Sequence, residues 1–114
     1  MKVVYVAGRF RAPDHWQIAE HIRAAERVAL SAWRAGFAVI CPHANTAHFQ
    51  GAAADSVWLE GDLELLRRCD AVLLVPDWEL SVGARAEVEF AVDHGIPVFR
   101  DLSLLRLWAD TMGG

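Results

Sequence analysis

Two acids stand where the hydrophobic pattern calls for apolar side chains. In segment 83–94, Ala84, Val88 and Ala91 recur at i, i+4 and i+7 and mark one face of a helix. Glu87 lies three residues after Ala84 and four before Ala91, inside that stripe. Arg85, Glu89 and Asp93 occupy the outer face at a spacing of four and can pair there. Segment 56–69 repeats the anomaly. Leu59, Leu63, Leu66 and Cys69 form its apolar stripe, and Asp62 falls among them, while Glu60, Glu64, Arg67 and Arg68 cover the outside. A buried carboxylate is costly unless it is paired or hydrogen-bonded. A single such acid is ordinarily a stripe-edge residue that reaches solvent or caps a backbone. Two of them, in helices flanking one strand, point to a shared site.

Such a pair suits chemistry at an electron-poor carbon. Glu87 sits in the first turns of its helix, where the partial positive charge favours its ionised form. An ionised, poorly solvated carboxylate can attack a carbon of oxocarbenium character, as in retaining glycoside chemistry. Asp62 can then orient a sugar or deliver a proton to a leaving base. The backbone N–H groups of Ser81, Val82 and Gly83, just before the same helix, can receive a phosphate.

Alternating strands and helices must position these groups. Residues 3–7 are an apolar, β-branched run ending at Gly8 and read as a strand. Residues 8–15 read as a loop. A helix over 16–35 shows Ile18, Ile22, Ala25, Ala29 and Ala32 at spacings of three and four, with Gly36 as its stop. A second strand over 37–41 ends at Pro42, and a loop runs to Asp55. A helix over 56–69, capped by Ser56, precedes a third strand over 71–75. The loop 77–82 leads into the helix over 83–94, a fourth strand over 96–99 follows, and 102–111 forms a last short helix. Strands apolar throughout, separated by amphipathic helices, mean a parallel sheet covered on both faces. The expected architecture is one Rossmann-like, doubly wound domain over residues 1–114, with four strands in order 2-1-3-4. Ligands bind beyond the carboxyl ends of such strands, which places loops 8–15 and 77–83 at the ligand.

Composition narrows the function classes. The 114 residues are 54% hydrophobic, which excludes a disordered chain. No apolar run approaches a membrane span, and the opening residues are too short for a signal-peptide core, so the expected compartment is the cytoplasm. A net charge of −4 without a basic cluster argues against a long nucleic acid, although a mononucleotide needs only one or two donors. Cys41 and Cys69, the only cysteines, sit in apolar segments and read as small core residues. His43 and His48 are five apart in a loop, which is no established metal-ligand spacing, so no metal and no cofactor are expected. Of the five tryptophans, Trp33 is expected in the core. Trp16, Trp58 and Trp78 fall near ligand-side loops, where a ring can stack on a base, packing or a subunit interface being the plainer reading of each.

The motifs together resemble those of nucleoside 2-deoxyribosyltransferases and 2′-deoxynucleoside 5′-phosphate N-hydrolases, and most resemble a small branch of that superfamily found in bacteria and phages. The likeness runs from residue 4 to residue 98. Its marks are Tyr5-Val6-Ala7-Gly8, Pro42-His43, Gly61-Asp62-Leu63, Cys69-Asp70-Ala71-Val72 and Ser81-Val82-Gly83-Ala84-Arg85-Ala86-Glu87. The resemblance implies that Glu87 is a nucleophile forming a deoxyribosyl ester, that Asp62 is the active-site aspartate and that Tyr5 hydrogen-bonds the nucleophile. It implies that Gly8 and Arg11 approach sugar and phosphate, and that Ser81 and Gly83 hold a 5′-phosphate. His43 and Trp78 complete the expected ligand-binding set. Departures are Arg9-Phe10 after the first glycine, where many relatives have Pro-Tyr, and His21, where many have Asn. The expected activity is cleavage or base exchange of a deoxynucleoside or its 5′-monophosphate, in a homo-oligomer. The alternative is a nucleotide sensor using the same cleft without catalysis.

Overall fold

The computed structural model describes residues 1–45, 49 and 51–111 of the chain, and His48 lies outside them. The elements are β1 (Val3–Ala7), α1 (His15–Arg34), β2 (Ala38–Ile40), α2 (Pro42–Asn45), α3 (Asp55–Arg67) and β3 (Ala71–Leu74). A 3-10 turn (Trp78–Leu80), α4 (Val82–Asp93), β4 (Val98–Phe99) and α5 (Leu102–Thr111) follow. All pairings are parallel and the order is β2-β1-β3-β4, as the sequence pattern requires.

The side-chain alternation of β1 and β3 divides the core. Tyr5, Ala7, Val72 and Leu74 face α3 and α4, where they meet Leu66 and Ala91. Val4, Val6, Ala71, Leu73 and Val75 face the opposite way. They pack on Ala25, Ala29 and Ala32 of α1 and on Leu105 and Ala109 of α5. The fully packed residues of α1 on the sheet are three alanines, with half-buried Val28 beside them, so the helix backbone lies close to the strands.

The helix ends follow their local chemistry. The Asp14 carboxylate accepts from the Gln17 N–H at 2.8 Å and caps α1. Gly36, with φ +97°, takes the left-handed turn after α1, and Gly95, with φ +71°, does the same after α4.

Several boundaries differ from the expectations. Helix α3 begins at Asp55, so Ser56 lies inside it; Ala54 is the cap residue and gives no side-chain bond. Asp55 supplies negative charge to that first turn instead. The loop after β2 contains α2, whose first residue is Pro42, a favourable position for a residue without an N–H. Trp33 is 54% exposed rather than in the core. It stands one step around the helix from Ala32, off the alanine stripe. Cys69 is buried and Cys41 half-buried, and both are free thiols. Among the described residues, no helix is long and apolar enough to cross a membrane.

Candidate active site

The chain begins in the middle of the sheet at β1, adds β2 on one side and then returns to place β3 on the other. The winding therefore reverses between β1 and β3, and a cleft opens there. Its volume is about 170 Å³, and Gly8, Arg11, His43, Asp62, Ser81, Gly83 and Glu87 all line it. Tyr5 lies beneath them. It is fully buried, and its place in the alternation of β1 sends its ring toward α3 and α4. Its hydroxyl donates to Oε2 of Glu87, tying the sheet to α4. Asp62 of α3 and Glu87 of α4 thus share one cleft.

Burial dominates the electrostatics of both acids. Glu87 is pushed up to about 7 by loss of solvent; the Tyr5 hydrogen bond opposes this and the Asp62 charge adds to it. Asp62 is pushed up to about 6 by burial. The Tyr5 phenol is driven far above its ordinary range by burial and by the neighbouring Glu87, so it remains a neutral donor. The expected help to ionisation from the helix N-terminus is outweighed. Glu87 stands in the second turn of α4, and that field fades within the first. Near neutral pH the carboxyl can therefore both hold a proton and release it.

The remaining expected residues divide. Gly8 lines the cleft, and packing also demands a glycine there: a Cβ would lie 2.6 Å from Cβ of Val75. Gly83 carries no such demand, the nearest contact to an added Cβ being 3.8 Å away. The Ser81 hydroxyl accepts from the Ala84 N–H at 3.1 Å, so its side chain serves as the α4 cap. Arg85 donates to the Glu79 carbonyl at 2.6 Å and fastens α4 to the preceding turn. His43 is buried, and its Nε2 donates to the Arg9 carbonyl at 2.6 Å. Burial holds this imidazole below its usual range, so it is neutral and its hydrogen is on Nε2. His21 bonds through Nδ1 to the Phe10 carbonyl at 3.1 Å. The two histidines thereby fix the loop after β1 from α2 and α1.

Trp78 departs from expectation. It packs against the core cluster around Tyr5 and Leu66 and is not part of the cleft lining. Trp16 is 76% exposed and also outside the cleft. Trp58 does line it, beside Phe10 and Leu59. Phe10, Leu59 and Asp55 were not singled out from sequence as ligand-side residues. Asp55 carried one signal, an acid at the start of a helix. The Asp55 and Arg11 side chains meet at 2.6 Å, and both line the cleft.

A larger groove, about 680 Å³, lies along α1 and the edge strand β2. Leu30, Trp33, Ile40 and Leu65 line it, and Glu26 is its one carboxylate. The smaller cleft holds the convergent acids, a phenol and a helix start, and it is the site with chemistry to offer. Among the described residues, no group of three or more His, Cys, Asp or Glu side chains is placed to hold a metal ion.

Comparison with known proteins agrees with this architecture. No curated protein matches the chain. A solved 2-deoxyribosyltransferase from the psychrotolerant bacterium Bacillus psychrosaccharolyticus superposes with a TM-score of 0.60 at 21% identity. The match covers 84% of this chain and 69% of that enzyme, a likeness of fold. A family model described as a domain of unknown function, DUF4406, matches residues 2–100. That span is most of the chain and includes β1 through β4 with Tyr5, Asp62 and Glu87, and the chain therefore belongs to the DUF4406 family.

Proposed function

We propose that the chain cleaves or exchanges the N-glycosidic bond of 2′-deoxynucleosides or their 5′-monophosphates, with Glu87 as nucleophile. The observation that carries this reading is the half-buried Glu87 carboxyl, held by the Tyr5 hydroxyl beside Asp62 in one cleft. A Glu87 oxygen bonds to C1′ as the C1′–N bond breaks. The bond's electrons go to the base, and Asp62 supplies the proton that the departing nitrogen takes up. Water, or a second base, then attacks C1′ and releases Glu87, and Asp62 accepts the incoming nucleophile's proton. Tyr5 keeps the carboxylate oriented and stabilises its charge before attack. Asp62, with its proton affinity raised by burial, suits the double role of donor and acceptor.

In this reading the chain is one domain of the deoxyribosyltransferase superfamily's bacterial and phage branch. It works in the cytoplasm, without a cofactor, as a homo-oligomer. The 2-deoxyribosyltransferase fold supports the substrate class, and the exposed Leu30 and Trp33 support assembly.

The test is base release, followed by chromatography over a panel of deoxynucleosides and their monophosphates. Glu87→Gln is expected to lower it by about 10³-fold, because the amide keeps the shape but removes the attacking charge. Binding of the intact substrate is expected to survive. A variant retaining the full rate would exclude the covalent route. A wild type that binds nucleotides tightly but releases no base would make the cleft a sensor, a reading favoured by the Glu87 proton affinity near neutrality.

A further inference from the structure

Arg11 and Asp55 close one side of the cleft. Arg11 comes from the loop after β1 and Asp55 from the first turn of α3, and their side chains pair at 2.6 Å. Both line the cleft. Among the described lining residues, Arg11 is the only permanent cation; His43 is buried and neutral. Three acidic side chains, Asp55, Asp62 and Glu87, line the same cleft, and Asp55 is the one paired with that guanidinium. The Ser81 hydroxyl, a further group able to meet a phosphate, is already bonded to the Ala84 N–H.

We infer that Asp55 is a specificity residue: by holding Arg11, it disfavours 5′-monophosphates and leaves the cleft selective for neutral deoxynucleosides. This rests on the functional reading above and names its substrate class. A phosphate that pairs with the cleft's cation must take Arg11 from Asp55 and then lies close to the displaced carboxylate. A neutral nucleoside pays neither penalty. The ion pair is exposed at both ends, so a ligand can open it without unfolding anything. Its strength is correspondingly small, and the discrimination comes equally from the Asp55 charge that remains beside a bound anion.

The experiment uses calorimetric titration in the Glu87→Gln background, where substrate stays intact. The probes are a deoxynucleoside, its 5′-monophosphate and inorganic phosphate. Asp55→Asn is expected to tighten the monophosphate and phosphate by about five- to tenfold, from loss of the pair and of the adjacent charge. The nucleoside is expected to change by less than about twofold, since it carries no charge for Asp55 to oppose. Adding Arg11→Ala is expected to cancel the gain, and raising the salt to shrink it. Both side chains are exposed, and thermal melting checks that each variant folds. Equal tightening of nucleoside and monophosphate would show a mouth that merely opens and would overturn the inference. So would no change for either anion. If no nucleoside or nucleotide binds, the functional reading fails, and the phosphate titration alone still decides whether Asp55 controls Arg11.

Discussion

Tyr5 donates its only hydroxyl proton to Glu87, so the phenol lowers the proton affinity of a carboxyl that burial raises. Removing that donor has a definite sign. Tyr5→Phe leaves the ring in the core, takes away the bond to the ionised form, and pushes Glu87 further up. In the proposed mechanism base release needs Glu87 ionised and Asp62 still protonated, so its pH profile is a bell with its optimum between about 6 and 7. The variant's optimum is expected to move to higher pH and its peak rate to fall, because less Glu87 is ionised where Asp62 still holds its proton. A pH profile of base release measures this, and an unmoved optimum would separate Tyr5 from Glu87 functionally. The two acids were legible in the sequence because each breaks an apolar stripe. Tyr5 was legible only through the family resemblance, since a tyrosine in an apolar strand otherwise reads as core. The pairing of Arg11 with Asp55 was not legible: the two are 44 residues apart and meet only through tertiary geometry.

Elements set the shape of the cleft, and the contact between β1 and β3 fixes its floor. Gly8 follows β1 directly, and its backbone passes so near Val75 that even a methyl group has no room. Gly8→Ala is expected to destabilise the fold by about 1–3 kcal/mol through overpacking, with β1 and β3 forced apart. Val75→Ala in the same chain removes the γ-methyl in contact at 2.7 Å and should restore part of the loss, although the Cβ clash remains. Denaturant melts of the single and double variants check both. Gly83→Ala is the control, because an added Cβ there meets nothing closer than 3.8 Å. The helices and strands were readable from periodicity and from glycine stops. Their ends were not. Helix α3 starts on an acid rather than on the expected serine, and α2 is too short to show a period, with Pro42 at its first position as its one sequence signal.

Over the whole molecule, the raised acids give stability a particular pH dependence. An unfolded Glu87 titrates near 4.5 and the folded one near 7; for Asp62 the values are 3.8 and about 6. Between those values the native state holds more protons than the unfolded chain. This contribution is fully present below about pH 4 and is lost as pH rises through 6 to 7. Glu87 alone accounts for a change on the order of 3 kcal/mol. Glu64, held low by hydrogen bonds from Arg67 and Arg68, acts with the opposite sign as pH falls from about 4.5 to about 2, and weakly because it is exposed. Denaturation midpoints should therefore decline from pH 5 to pH 8. Glu87→Gln should flatten most of that decline, and a wild-type curve flat over this range would contradict the burial of both acids. The strand order was legible because right-handed crossovers leave few ways to wind four parallel strands. The same sheet has a consequence for solubility. Its edges are strands of three and two residues, which offer an incoming chain little backbone to pair with, so the native protein resists growth by strand addition. The hazard is inside: β3 is four wholly buried residues, Ala-Val-Leu-Leu, extended by buried Val75 before Pro76. Uncharged and rich in aliphatic side chains, this stretch becomes the stickiest part of the chain whenever the sheet opens, so persistence in solution depends on how rarely it does so.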